Sequence, residues 1–207
     1  MATRSRILPA LALAAALAVA GCGAAPDGGG YGASGARHAA RGAGHAAAGP
    51  FGWLRPAPPP SGWKVAGLPS GMAELAYPPA WRPIATDPGT VSAALLGPHG
   101  RIRGYLNATP RSGAETLANW SRFRPAHNHE EGDRSVVTDA AATHLRFRAG
   151  TGSCVVDHYA TVSARYREIA CLVRGSRATT VVVAAARPQD WAHLAPALRR
   201  SVASFST

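Results

Sequence analysis

The chain has 207 residues and carries 22 lysine or arginine residues against 11 acidic ones, a formal net charge of +11 at pH 7. This excess of positive charge favours anionic partners. The sequence has no Gly-x-Ser-x-Gly elbow, no phosphate-binding glycine loop, no dinucleotide fingerprint between a strand and a helix, and no Cys-x-x-Cys pair. The enzyme classes that carry these signatures are therefore excluded.

The first residues have the pattern of an export signal. Arg4 and Arg6 precede the apolar run Ile7–Ala20, which is shorter than the roughly 20 apolar residues that a membrane span needs. The run ends in Val-Ala-Gly-Cys at Cys22, which resembles the bacterial lipobox. The resemblance implies that residues 1–21 are a signal peptide and that the Cys22 thiol is diacylated, holding the chain at the extracytoplasmic face of the cell membrane. The alternative is a chance cysteine at the end of an ordinary signal.

Residues 22–62 have the composition of a flexible tether. Glycines cluster at Gly28–Gly32 and prolines at Pro56–Pro60, and too little apolar surface is present to offset the entropy lost on ordering. The apolar segment Phe51–Leu54 interrupts this composition. We expect it either to dock on the domain that follows or to insert into the membrane interface.

Residues 63–207 have the length of one ordinary domain. Gly71–Tyr77 predicts a strand, and Thr90–Leu96 and Arg101–Ala108 predict two more, joined by a Gly-Pro-His-Gly turn. Ala114–Phe123 predicts a helix with its apolar residues on one stripe.

A series of strands follows a polar loop. Alternating or continuous apolar patterns predict strands at Ser135–Thr138, His144–Arg148, 153–162, 166–174 and 177–186. The last two are joined through a Gly-Ser pair that suits a hairpin turn.

The chain closes with a predicted helix. Pro188 suits a first helical position, and Pro196 is expected to kink or restart the helix. Apolar residues recur with helical spacing at Trp191, Leu194, Leu198, Val202 and Phe205.

This order of elements predicts an α+β fold, in which an antiparallel sheet of about six or more strands packs against an internal helix and a C-terminal helix. The stretch Leu75–Trp81, with Pro-Pro-Ala-Trp after a strand, resembles the corresponding stretch of PsbP/Mog1-like proteins, and Trp191–Phe205 resembles their closing helix. The resemblance implies an α/β/α sandwich over residues 63–205. It carries over no catalytic residue, and bacterial proteins of this fold are commonly exported lipoproteins without assigned chemistry.

Cys154 and Cys171 are the two cysteines that remain when Cys22 carries lipid. A hairpin with the four-residue turn Thr161–Ala164 places Cys154 directly opposite Cys171, within the distance that a disulfide bridges. An exported domain faces an oxidising compartment, so we expect a cross-strand disulfide. The same register places two acids, Asp157 and Glu168, opposite each other, which is unfavourable unless solvent or an arginine intervenes.

A weaker candidate is a metal site in the segment 127–133, which the sequence predicts to be a loop. Two imidazoles and nearby carboxylates could bind a divalent cation, although the spacing matches neither a zincin helix nor an EF-hand. The alternative is a solvated loop. The candidate ligands are His127, His129, Glu130 and Asp133.

A second weak candidate is a basic strand face for a polyanion or an acidic partner. Strand alternation allows several arginines to share one surface, and the alternative is an ordinary solvated face. The candidates are Arg103, Arg146, Arg148 and Arg167.

The sequence therefore favours a membrane-anchored, non-catalytic binding or assembly module of the cell envelope, with an acidic envelope protein or an anionic polymer as possible partner. We expect no cofactor, and the extracytoplasmic location argues against nucleic acid. The alternatives are a ligand- or metal-binding accessory protein using the His127–Asp133 segment, and a hydrolase or thiol enzyme using Cys154 or Cys171 with His158.

Overall fold

The computed structural model describes residues 49–207, which form two α-helices, nine strands and a short 3₁₀ helix at Pro98–Gly100. The signal peptide, Cys22 and the tether up to residue 48 lie outside the described residues. The elements are β1 Lys64–Gly67, β2 Glu74–Tyr77, β3 Arg82–Pro83, β4 Val91–Leu96, β5 Ile102–Pro110, α1 Trp120–Glu130, β6 Arg134–Phe147, β7 Gly150–Ala160, β8 Arg165–Gly175, β9 Thr179–Ala186 and α2 Pro188–Ser204.

Seven strands form one antiparallel sheet in the order β3-β4-β5-β9-β8-β7-β6, and β1 and β2 form a separate two-stranded ribbon. Helix α1 packs on the β6–β8 half of one sheet face, and α2 packs on the opposite face. The predicted α+β class, with an internal and a C-terminal helix on an antiparallel sheet, is confirmed.

Helix α2 buries the stripe that its spacing predicts. Leu198, Val202 and Phe205 at its end are fully buried against alternate residues of the central strands. The helix approaches β5 closely because that strand has glycine at position 104, where a Cβ atom would lie 2.9 Å from Cδ1 of Leu194. Pro196 is exposed on the outer side, and α2 continues through it.

Helix α1 begins at Trp120, six residues later than predicted, and ends at Glu130, inside the segment 127–133 that the sequence predicts to be a loop. Thr116 and Asn119 explain the late start, because each side chain accepts a hydrogen bond from the backbone N–H of the other and closes a turn there. Trp120 is buried and donates from Nε1 to the carbonyl of Ala170, 3.0 Å away. Leu117 and Phe123 pack beside it, so the predicted apolar stripe faces the sheet although only part of it is helical.

The edge strand β6 corrects another prediction, since one 14-residue strand replaces the two short ones expected. Its pairing with β7 shifts register at three places, after Arg134, Thr138 and Ala142. Each shift changes which face the following residue points to, so the alternation from which strands are predicted is lost between the two ends.

The segment from Gly49 onward, which was assigned to the tether, is part of the folded unit. Phe51 is 5% exposed within the α2-side core, and Trp53 and Leu54 pack against that core. The backbone N–H of Ala57 also donates to the carbonyl of Ala203 in α2, 3.2 Å away. The sequence left open whether Phe51–Leu54 docks on the domain or inserts into the membrane interface. In the structure this segment docks on the domain. Within residues 49–207, no helix combines the length and the hydropathy that crossing a bilayer requires.

Candidate functional site

Cys154 and Cys171 form a disulfide in the middle of the sheet. The β7–β8 register is the one that the sequence predicts, with Cys154 opposite Cys171, Val156 opposite Ile169 and a Cα–Cα distance of 4.1 Å between the cysteines. Both cysteines are fully buried in the α2-side core. Neither sulfur is therefore a free thiol, which removes the nucleophile of the thiol-enzyme alternative.

The opposed acids Asp157 and Glu168 are both fully buried on the other face, beneath α1. Arg124 of α1 donates from Nε to Oε1 of Glu168 at 2.7 Å, and the Tyr159 hydroxyl donates to Oε2 at 3.1 Å. The hydroxyls of Tyr105 and Tyr159 are hydrogen-bonded at 2.8 Å. Burial, followed by the charge of Glu168, raises the pKa of both tyrosines, so they act as neutral hydrogen-bonding groups.

Asp157 lacks such partners. Neither carboxylate oxygen has a hydrogen-bond partner within residues 49–207, and the same holds for both amide atoms of the fully buried Asn128 on α1. Burial and the nearby charge of Glu168 raise the pKa of Asp157 to about 8. Asp157 is therefore neutral at neutral pH, and Glu168 is the acid of the pair that contacts Arg124.

An open trough lies beside this cluster, because α1 covers only half of its sheet face. The trough has a volume of about 350 Å³ and is lined by Arg124 and His127 of α1 and by polar side chains of the uncovered strands. Ser92 accepts a hydrogen bond from Nδ2 of Asn107 at 2.8 Å and is hydrogen-bonded to Thr86 at 3.0 Å. The trough thus presents hydroxyl, amide and guanidinium groups to a ligand.

The candidate metal ligands do not converge. His127, His129 and Glu130 lie on α1 rather than in a loop, and Asp133 follows the helix. His127 lines the trough, and its Nε2 lies 3.3 Å from Oε1 of Glu131, one turn on, a contact that raises the pKa of His127. His129 and Glu130 are exposed. Nδ1 of His127 lies 3.8 Å from Oε2 of Glu130, but no cluster of three His, Cys, Asp or Glu suited to a metal occurs within the described residues.

The four candidate arginines do not form one basic face, so this prediction is wrong. Arg146 pairs with Thr151 and Arg167 with His158, and these two residues of β7 lie on opposite faces because their positions differ in parity. Arg103 is bonded to Asp190 of α2. Arg148 follows β6 and points Nη1 at the carbonyl of Ser204, 3.5 Å away. Bulges and helix contacts override the simple alternation on which the prediction depended.

A groove on the α2 side combines tryptophans with arginines, and we call it the Trp53–Trp191 groove. Cζ of Arg199 lies 5.7 Å from the ring centroid of Trp53, and Cζ of Arg167 lies 5.1 Å from that of Trp191. The cavity has a volume of about 280 Å³. Its lining consists of Pro50, Trp53, Asp139, Ala140, Val156, Arg167, Ile169, Trp191 and Arg199.

Sequence reasoning identified only Arg167 in this groove. Trp191 and Arg199 are eight residues apart, which places both on one side of α2, and this spacing was the available signal. Trp53 arrives from the segment assigned to the tether and Asp139 from a bulged part of β6. No local sequence pattern predicts that Trp53 and Asp139 lie beside the α2 residues Trp191 and Arg199.

Comparisons with known proteins agree with the fold. No family profile and no curated protein matches the chain. The solution structure of cyanobacterial PsbP (CyanoP) from Synechocystis sp. PCC 6803 superposes with a TM-score of 0.51 at 13% identity, covering 70% of this chain and 92% of that one.

Two other solved structures are more distant. LpqN of Mycobacterium tuberculosis, described as involved in cell envelope biogenesis, has a TM-score of 0.39 at 13% identity, covering 70% of this chain and 89% of that one. A Pseudomonas aeruginosa protein of unknown function, described as a putative regulator, has a TM-score of 0.40 at 11% identity, covering 69% and 94%. The likeness to cyanobacterial PsbP shows a shared fold. The structures with TM-scores of 0.39 and 0.40 are too distant to support an inference about this chain.

Proposed function

We propose that this chain is an exported bacterial lipoprotein, anchored at the extracytoplasmic face of the cell membrane through Cys22, whose domain binds or assembles with another envelope component. The observation that carries the proposal is the buried Cys154–Cys171 disulfide. Structural disulfides persist in oxidising compartments outside the cytosol. The lipobox-like run at Cys22 supports the same location independently.

A binding role fits the described domain better than a catalytic one. Both of its cysteines are joined in the disulfide, and His158, the base of the thiol-enzyme alternative, is hydrogen-bonded through Nδ1 to Asp139 at 3.1 Å. The buried acids Asp157 and Glu168 lie beneath α1, so a substrate does not reach them. The concave surfaces that remain are the trough and the Trp53–Trp191 groove, and both present hydrogen-bond donors to a ligand.

The anchor is tested by fractionating cells that express wild type and Cys22→Ala, with labelling by a clickable palmitate analogue. We expect wild type to be labelled and to resist extraction from membranes by salt. The variant should lose the label and be released or accumulate unprocessed, because two or more acyl chains give stable anchoring. Equal labelling and equal retention of the two proteins would contradict the anchor.

The trough supports a second candidate function, the binding of a small polar ligand. Arg124 uses Nε for Glu168, and it lines the trough together with Asn107 and Thr86. Inorganic phosphate and N-acetylglucosamine are suitable first probes, monitored by the unfolding temperature. A rise with either probe that is lost in Asn107→Ala supports this function, and no rise with either one counts against it.

A further inference from the structure

Two guanidinium groups in the Trp53–Trp191 groove are held over aromatic rings. Arg199 lies over Trp53 and Arg167 over Trp191, and both arginines line the same cavity. A guanidinium stacked on an aromatic face keeps its N–H donors at the edge and loses less conformational entropy when it binds a bidentate anion. The groove therefore presents two pre-oriented groups of the kind that recognise phosphate.

Positive charge exceeds negative charge in this region. A neighbouring cavity of about 670 Å³ shares Asp139 and Arg167 with the groove and adds Arg165 and His158. Asp139 is the one acidic residue that lines either cavity within the described part of the chain. It is already bonded to Nη2 of Arg167 at 3.0 Å and to His158. Nε of Arg167 is buried without a hydrogen-bond partner among residues 49–207. An anionic ligand would balance this charge.

The position of the groove indicates where such a ligand comes from. Pro50, the second of the described residues, lines the groove. Residues 23–48 lead from Gly49 back to Cys22, and a segment of that length spans at most about 90 Å even when fully extended. If Cys22 carries lipid, the groove lies at the residues from which the chain runs to its membrane anchor.

We infer that the Trp53–Trp191 groove binds the anionic phosphate headgroups of the membrane to which the chain is anchored. This inference rests on the proposed function for the identity of the surface. Clustered arginines close to an anionic lipid surface are attracted to it over about one Debye length. The groove then holds the domain against the membrane in one orientation, in addition to the tether that the lipid provides.

The test uses the full lipidated chain reconstituted in two kinds of vesicle, phosphatidylcholine alone and phosphatidylcholine partly replaced by phosphatidylglycerol. The lipid anchor is the same in both, so a difference reports headgroup contact. The readout is tryptophan emission wavelength and acrylamide quenching. Of the five tryptophans, Trp81 and Trp120 are buried, so the response comes from Trp53, Trp191 and the partly buried Trp63. We expect a shift to shorter wavelength and weaker quenching with phosphatidylglycerol, both reversed by high salt.

Matched variants identify the groove. Arg199→Ala should lose the response to phosphatidylglycerol, because Arg199 lies over Trp53. Arg200→Ala removes the same charge from the next residue of α2, which is exposed and does not line the groove, and it should keep the response. Both substitutions are at exposed positions, so both proteins should unfold at the wild-type temperature.

The outcomes separate the inference from the proposed function. Equal quenching in the two vesicles, with the chain anchored in both, overturns the inference and leaves the anchor intact. An equal loss in Arg199→Ala and Arg200→Ala also overturns it, because general surface charge then explains the response. A stronger response to poly-glutamate than to phosphatidylglycerol overturns it in favour of an acidic protein. A chain that does not remain on pure phosphatidylcholine contradicts the anchor, while an Arg199-dependent response to phosphatidylglycerol still supports the groove.

Discussion

Asp157 and Glu168 lie directly opposite each other on β7 and β8, both fully buried, and Arg124 is bonded to Glu168 alone. Burial of Asp157, together with the charge of the opposed Glu168, disfavours the ionised form of Asp157. The arrangement therefore keeps Asp157 neutral over most of the physiological range, with its pKa raised to about 8. Charged groups that act on it are Glu168, Arg124, Asp139 and Asp133.

The first prediction concerns the pH dependence of stability. The pKa of Asp157 is raised to about 8 in the folded chain and is about 3.9 in the unfolded chain. The folded state therefore binds the proton more tightly, so this residue's contribution is fully present below about pH 4 and is lost as the pH rises through about 8. Asp157→Asn should remove that slope. Urea unfolding should find the variant on the order of 5 kcal/mol more stable than wild type at pH 8, with the difference vanishing near pH 4.

Asp139→Asn provides the control for this experiment, because Asp139 is partly exposed and bonded to Arg167 and His158 at the sheet edge. It should not reproduce the gain at high pH. A parallel pH profile for wild type and Asp157→Asn would contradict a neutral Asp157.

The second prediction concerns the buried ion pair. Arg124→Ala leaves Glu168 buried with the Tyr159 hydroxyl as its remaining partner, and removing one member of a buried pair costs about 3–5 kcal/mol. Arg124→Met combined with Glu168→Gln should recover much of that loss, because no charge is then left uncompensated. Denaturant unfolding of the single and double variants measures the coupling. Arg122→Ala, at an exposed position two residues away, should change stability by less than about 0.5 kcal/mol.

The third prediction concerns the disulfide. Native protein that has not been reduced should present no reactive thiol from Cys154 or Cys171 in a thiol titration under denaturing conditions. Cys154→Ala combined with Cys171→Ala should lower the free energy of unfolding by about 3 kcal/mol, because the bond closes a loop of 17 residues in the unfolded chain. Two titratable thiols in the oxidised protein would instead contradict the disulfide and leave free cysteines on β7 and β8.

The fourth prediction tests where the folded unit begins. Phe51 is buried in the α2-side core, so Phe51→Ala should reduce stability by about 3–5 kcal/mol. Val162→Ala is the control, since Val162 is 88% exposed in the β7–β8 turn and should have almost no effect. A Phe51→Ala variant as stable as wild type would show that residues 49–62 belong to the flexible tether and not to the folded unit.

Much of the β7–β8 hairpin and of α2 could be predicted because local geometry determines both. One turn length sets the register that brings Cys154 opposite Cys171, and helical spacing selects the buried face that includes Leu198 and Phe205. The order of strands and helices likewise predicted an antiparallel sheet with two helices. These inferences depend only on the local pattern of residues along the chain or on the register of a single hairpin.

The sequence by itself thus determined the fold class, the disulfide pair and the need for a partner between Asp157 and Glu168. Only the tertiary structure decided that this partner is Arg124, that β6 is bulged, and that Trp53 meets Arg199 across the α2 surface. The physical reason is that such contacts join residues far apart in the chain, and their geometry follows from how helix, sheet and N-terminal segment pack together. Periodicity places a side chain on a face, and packing selects the residue that lies opposite it.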